Sequence, residues 1–219
     1  MADFAAMRQH MVEGQIEPNQ VNDPRILAAF ADVPRELFVP KAKRPIAYVD
    51  EDLEIAPGRF LMEPAIFARL IQAAFIRPED VVLDVGCGTG YSSAVLAKLA
   101  GTVVGLESDA PLAEQADAIL NELGVDNAVT VVGPLGGGYA SQGPYDVIVI
   151  EGGVETIPAP LEEQLAEGGR LLAVEQRTSR GPGKATLVAR TRGRVSSRVL
   201  FDASVPRLEE FLAPRGFVF

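Results

Sequence analysis

The sequence predicts an α/β fold: a doubly wound, mostly parallel sheet with an antiparallel C-terminal edge and an N-terminal helical layer. Three observations predict it. From about Glu63 onward, apolar strand-like runs alternate with segments of helical periodicity. A glycine-rich turn lies between one of these strands and the helix after it. Near the C-terminus two β-rich runs flank Thr191-Arg192-Gly193, which reads as a hairpin turn.

Residues 1–62 read as a helical and irregular layer, and 63–219 as the core. In the layer, Ala5 to Gln15 and Asp23 to Phe30 read as short helices, the second opened by Asn22-Asp23-Pro24. Val33 to Pro40 is bracketed by prolines and reads as irregular, and Ala47 to Asp50 as a short extended piece. In the core, Pro64 opens a helix whose apolar face is Ile66, Leu70, Ile71 and Phe75. Val81 to Val85 is a buried strand, Ser92 to Leu99 a helix and Thr102 to Glu107 a strand. Pro111 to Leu123 is a helix ended by Gly124. Val129 to Val132 and Tyr145 to Ile150 are strands, Leu161 to Leu165 is helical, and Gly169 to Glu175 is a strand. The tail adds Ala185 to Arg190 and Arg194 to Phe201 as an antiparallel pair, a common ending for such a sheet.

Composition removes several classes of chemistry. Of 219 residues, 47% are hydrophobic, enough for a sizeable core, yet no apolar run reaches the roughly 18–20 residues that cross a bilayer. Met1-Ala2-Asp3-Phe4 lacks the pattern of a signal peptide, so the expected location is the cytoplasm. The net charge of −10 repels phosphate backbones and anionic lipid, so neither nucleic acid nor membrane is an expected partner. Arg177, Arg180 and Lys184 form a small basic cluster in a Gly/Pro-rich stretch that reads as a solvated loop. One cysteine, Cys87, forms no internal disulfide, and with one histidine, His10, it cannot build a typical zinc site, so no metal is expected.

The strongest local signal is Asp84-Val85-Gly86-Cys87-Gly88-Thr89-Gly90, directly after a strand and before a helix. Glycines there let the backbone turn sharply and let a ligand approach. A dinucleotide loop, Gly-x-Gly-x-x-Gly, would put glycine at position 91, where Tyr91 stands. The spacing and the acid two residues before the first glycine belong instead to S-adenosylmethionine (SAM). Asp84 would favour the cationic α-amino end of that ligand. Glu107, ending the next strand, is placed for ribose hydroxyls. Cys87 reads as a small loop-filling residue, at most mildly activated by the following helix. The fold is therefore expected to be the Rossmann-like fold of SAM-dependent methyltransferases.

Further residues carry a family resemblance. Met11-Val12, Val33-Pro34-Arg35, Phe38-Val39-Pro40, Ala47-Tyr48 with Asp50, Gly90-Tyr91-Ser92, Tyr145-Asp146-Val147-Ile148 and Leu165 to Leu171 resemble the protein-L-isoaspartate O-methyltransferases, over about Met11 to Gly169. The resemblance implies methylation of a protein or peptide carboxylate, with SAM as methyl donor and S-adenosylhomocysteine as product. It implies cofactor contacts from Asp84, Gly86, Cys87, Gly88, Gly90, Glu107, Ser108, Pro134, Leu135 and Glu151. It implies acceptor contacts from Arg59, Phe60, Leu61, Met62 and Phe201.

The chain departs from that family where the acceptor would sit. The family's Thr-Ile-Ser segment, with a catalytic serine, is here Phe60-Leu61-Met62, and Met62 takes the serine's place. Its Gly-Asp-Gly after the third strand is Gly133-Pro134-Leu135-Gly136, and its Thr-Ala-Ala run is Glu151-Gly152-Gly153. Its Val-Pro-Leu stretch is absent as such, with Phe201-Asp202-Ala203 in that region. A carboxylate is already ionised at neutral pH, so its methylation needs positioning more than a general base. Met62 removes a donor and adds bulk, while Glu63 adds negative charge and can cap the helix at Pro64. Two other readings stay open. One is a SAM-binding regulatory or scaffold protein, with Phe60 and Met62 plugging the acceptor pocket. The other is a methyltransferase for a small molecule. The oligomeric state is not read from the sequence.

Overall fold

The computed structural model describes residues 3–176 and 182–212. Its centre is a seven-stranded sheet in the order β5-β4-β3-β6-β7-β8-β9. The strands are β3 (Val81–Val85), β4 (Thr102–Glu107), β5 (Ala128–Val132), β6 (Tyr145–Val154), β7 (Leu165–Glu175), β8 (Gly183–Thr191) and β9 (Arg194–Ala203). β5 through β7 are parallel, and β8 and β9 add an antiparallel edge, as the tail pattern predicted. The chain runs outward from β3 to β5, then returns to place β6 on the other side of β3. That reversal opens a crevice above the carboxyl end of β3, where ligands of such sheets bind.

Alternating residues divide the interior. Val82, Val103, Val147, Val149, Leu172 and Val174 face one cluster. Leu83, Val85, Val104, Leu106, Ile148, Ile150 and Leu171 face another. The first cluster is roofed by helices α1 (Phe4–Met11), α2 (Pro24–Asp32), α3 (Pro64–Ala74) and α4 (Tyr91–Ala97). Helix α5 (Ala110–Glu122) contributes Ile119 and Leu120 to it. Among the described residues the short α6 (Ala159–Glu163) is the one α-helix over the second cluster, through Leu161. Leu135, Leu208 and Phe211 complete it from connecting segments.

Several boundaries differ from the sequence reading. The first helix ends at Met11 and continues as a π-helical turn to Ile16. The expected extended piece at Ala47 to Asp50 is a turn. The extended pair lies just after it, as β1 (Leu53–Ala56) and β2 (Arg59–Leu61), antiparallel and separate from the main sheet. β6 runs on through Glu151-Gly152-Gly153 to Val154 instead of stopping at Ile150. Arg177 and Arg180 lie outside the described residues, whereas Lys184 is on β8, paired with Asp202 at 2.6 Å. Among the described residues no helix is long and apolar enough to cross a membrane.

The N-terminal layer is fixed to the core by aromatic packing at the cofactor loop. Tyr91, the first residue of α4, is buried against Phe38 and Phe30, with ring centroids at 5.5 and 6.3 Å. Phe67 of α3 packs on Phe30 at 5.6 Å. Such edge and tilted contacts add to the burial itself. Phe30 is completely buried and joins both neighbours, so Phe30→Ala leaves a cavity the surroundings cannot close. We expect a loss of about 3–5 kcal/mol in urea unfolding with an unchanged m-value.

Candidate active site

The loop after β3 has the conformation its glycines allow. Gly86, Gly88 and Gly90 have φ of 79°, 56° and 90°, a region other residues rarely adopt. Gly90 also lets α5 approach: a Cβ there would stand 3.1 Å from the Cβ of Ala116. The turn is tied to the neighbouring strand by the Gly86 N–H, which donates to the Leu106 carbonyl at 2.8 Å.

Three carboxylates converge at the carboxyl ends of β3, β4 and β6. Asp84 is buried, and its Oδ2 accepts hydrogen bonds from Ser92 and Ser93 at 2.7 and 2.6 Å. Its Oδ1 has no partner among the described residues. Burial pushes Asp84 up to about 6, with the charge of Glu107 adding to the shift and the two serines opposing it. Glu151 is buried beside Gly86, Cys87 and Ser92, and its Oε1 likewise has no partner among the described residues. Burial, then the charge of Asp84, holds Glu151 well above the usual carboxylate range, with Arg35 opposing. Cys87 is buried and its thiol is pushed up by burial and by Asp84 and Glu107, so it fills space and is not activated.

Glu107 is fully buried and satisfied from several sides. It accepts from the backbone N–H groups of Gly88 (3.0 Å), Ser108 (2.7 Å) and Asp109 (3.0 Å). The Arg59 Nε donates to its two oxygens at 3.0 and 3.3 Å. Arg59 therefore stands on the cofactor side of the crevice, not the acceptor side where the sequence reading put it. Ser108 lies beside it, its hydroxyl accepting from Arg59 at 2.8 Å and donating to Glu210 at 2.6 Å. An open groove of about 520 Å³ runs past Gly58, Arg59, Ser108 and Glu210.

The acceptor side is nearly closed. Met62, Phe60, Asp52, Glu151 and Gly152 line a cavity with Val205, Pro206 and Leu208. Its volume is about 10 Å³, no more than one water needs. Leu61 and Met62 also border the space beside Gly86 and Tyr91. Leu135 is buried below Gly86, its methyl 3.7 Å from where a Cβ would stand, while Pro134 is exposed at the rim. Phe201 does not join this set: it lies under Arg69, 3.6 Å from the guanidinium, in a separate groove with Phe75 and Arg198. Glu63 heads α3, but its side chain makes no capping bond. Its N–H donates to Asp52 Oδ1 at 2.8 Å instead.

Several residues matter here that the sequence reading left without a role. Arg35 is completely buried and donates to the carbonyls of Ala47 (2.8 Å) and Met62 (3.0 Å). It also lies 4.7 Å from the Tyr91 ring centre, and so fixes the Met62 backbone to the cofactor loop. The Val33-Pro34-Arg35 motif marked it, but nothing in the sequence revealed its partners. Glu210 and Leu208 carried no local signal.

Charge and space together test the site against SAM, whose sulfonium and ammonium groups are cationic. Two buried carboxylates with an unpartnered oxygen each suit those cations and would repel a pyrophosphate. The left-handed glycines put no side chain of their own into the crevice, where Leu208 lies over Gly86 and Ile55 over Gly88. The methionine end of the ligand thus fits Glu151, Gly86 and Cys87, with Asp84 below. Glu107 is held by Arg59, and Leu208 lies over Gly86.

A Rossmann-like sheet with this loop and these acids defines a SAM-dependent methyltransferase. The family described as protein-L-isoaspartate (D-aspartate) O-methyltransferase matches residues 6–199, and the chain belongs to that family. The chain is 42% identical over 169 residues to protein-L-isoaspartate O-methyltransferase 1 of Rhodopseudomonas palustris, covering 77% of this chain and 69% of the relative. It is 41% identical over 172 residues to the enzyme of that name from Koribacter versatilis, covering 78% of each. A solved protein-L-isoaspartate O-methyltransferase superimposes with a TM-score of 0.79 at 24% identity, over 91% of this chain and 65% of that one. A Plasmodium falciparum structure, titled as a complex with S-adenosyl-L-homocysteine, superimposes with a TM-score of 0.77 at 20% identity, over 93% and 98%. These two structures bear on the fold.

The raised Glu151 gives a pH-dependent prediction. In the folded chain it keeps its proton to a higher pH than in the unfolded chain. Stability linked to it is therefore present at low pH and falls as pH rises through the unfolded value toward the folded one. Glu151→Gln should raise Tm at pH 7.5 and leave it unchanged at pH 4.5, as thermal unfolding at the two pH values would read.

Proposed function

We propose that this chain transfers the methyl group of SAM to a carboxylate of a protein or peptide, the isoaspartyl carboxylate being the acceptor class its relatives' names carry. SAM supplies an electrophilic methyl on sulfur. The chain would supply Glu151 and Asp84 toward the cationic end, the glycine loop at Gly86 and Gly88, and Glu107 toward the ribose. The observation that carries this reading is the buried, unpartnered Oε1 of Glu151 beside the glycine loop. A lone carboxylate in an apolar wall is costly unless a cation is to meet it.

Residues 1–62 are read as the layer that walls the acceptor side, and 63–219 as the core that holds the cofactor. A cytoplasmic setting fits a lone buried thiol. A carboxylate acceptor would face Asp52 in the cavity wall, with Glu63 close by in sequence at the head of α3. Burial raises the pKa of Asp52, and burial with the charges of Asp50 and Asp52 raises that of Glu63. A second reading, a cofactor-binding regulatory protein, is favoured by one observation: Met62 and Phe60 line an acceptor cavity too small for a substrate.

The test is base-labile methyl transfer from labelled SAM to an isoaspartyl peptide, with the aspartyl peptide as control. Transfer to the isoaspartyl peptide alone is expected. Met62→Ser restores a hydroxyl donor and should raise the rate about 10- to 150-fold, the equivalent of roughly 1.5–3 kcal/mol for a charge-assisted hydrogen bond. Bound cofactor with no transfer by either protein would leave the regulatory reading standing.

A further inference from the structure

The segment after β9 leaves the antiparallel edge and crosses back over the carboxyl ends of β3 and β6. Two backbone bonds dock it: the Gly153 N–H donates to the Pro206 carbonyl at 2.8 Å, and the Leu208 N–H to the Gly153 carbonyl at 3.0 Å. Its side chains then enter the crevice. Leu208 methyls lie 3.2 Å from where a Cβ on Gly86 would stand. Another Leu208 carbon lies 2.7 Å from that position on Gly152. Phe211 packs at 3.9 Å from the same position on Gly136. Glu210 pairs with the Arg59 guanidinium and accepts from the Ser108 hydroxyl.

Each feature that would receive a nucleoside is thus in contact with the chain itself. Arg59 holds Glu107, Leu208 covers Gly86, and Phe211 sits on the loop after β5. The same Leu208, with Val205 and Pro206, lines the small cavity beside Met62. The family match ends at residue 199, before this segment begins. A nucleoside cannot share that volume with Leu208, because the glycine face that would admit it is already in van der Waals contact.

We propose that residues 205–212 are an intramolecular occupant of the nucleoside half of the cofactor cleft, latched by Arg59 and Glu210, so that SAM enters only when this segment lifts. The proposal rests on the reading that the cleft takes SAM. The apparent affinity is then the intrinsic one reduced by the fraction of chains with the segment released. Anything that weakens the latch tightens cofactor binding. A purely structural segment predicts the opposite, since its loss would destabilise the fold and gain no affinity.

The test titrates S-adenosylhomocysteine calorimetrically into the full-length wild type, Glu210→Ala and Leu208→Ala, and follows amide hydrogen exchange of Gly153 and Leu208 with and without that ligand. Expected is binding about tenfold tighter in Glu210→Ala than in wild type, with both amides exchanging faster when ligand is bound. Leu208→Ala should shift in the same direction. Binding by a variant alone, with none in wild type, supports the proposal in its strongest form. Binding with both amides as protected as before, or equal affinity in all three proteins, overturns the proposal and leaves the cofactor reading intact. No binding by any of the three sinks both.

Discussion

The buried carboxylate of Glu107 is the point on which this architecture turns. It gathers backbone N–H groups from the cofactor loop and from the start of α5, and a guanidinium from β2. A buried charge left unpaired costs several kcal/mol, so these donors are obligatory. Because they come from three stretches of chain, satisfying one carboxylate fixes the glycine loop, the β4–α5 turn and the β1–β2 pair relative to one another. Through the other face of Arg59, the constraint extends to Glu210 and the C-terminal segment.

Asp84 and Glu151 have the opposite character. Each keeps a buried oxygen without a partner, and each is pushed toward its protonated form by burial and by neighbouring acids. Such an arrangement lowers the stability of the chain by itself and raises its affinity for a cation. The contrast divides the crevice: Glu107 is saturated by the protein, whereas the pair below the glycine loop awaits a ligand.

The acceptor side follows from a packing problem. One face of the sheet is covered by helices α1 to α5, whereas among the described residues one short helix lies over the other, and Leu208 and Phe211 complete the second cluster. The apolar surface that these residues bury sits at the mouth of the crevice. Covering the core and lining the site are therefore one act of the same segment. Arg35 works from the other wall, holding the Met62 carbonyl against the cofactor loop.

Period and turn chemistry made the sheet legible in the sequence. Val81–Val85 and Thr102–Glu107 are short apolar runs ending at a glycine loop and an acid, and both strands fall where those signals place them. The loop itself needs left-handed backbone at three positions, which only glycine tolerates cheaply, so its identity was written locally. The β1–β2 pair was missed because four and three residues with a bulge carry little alternation. Arg59 was assigned to the wrong side, and Phe201 to the wrong groove, because a side chain's partners depend on which strand lies beside it. Glu210 stands 103 residues from Glu107 in the chain yet shares Arg59 with it, a contact no local pattern encodes. The sequence by itself determined the strand–helix alternation, the glycine loop and its acids, since these rest on local backbone preference. Only the tertiary structure decided which acids stay paired, what lines the small cavity beside Met62 and what lies over the glycine loop, since those depend on distant segments meeting at one crevice.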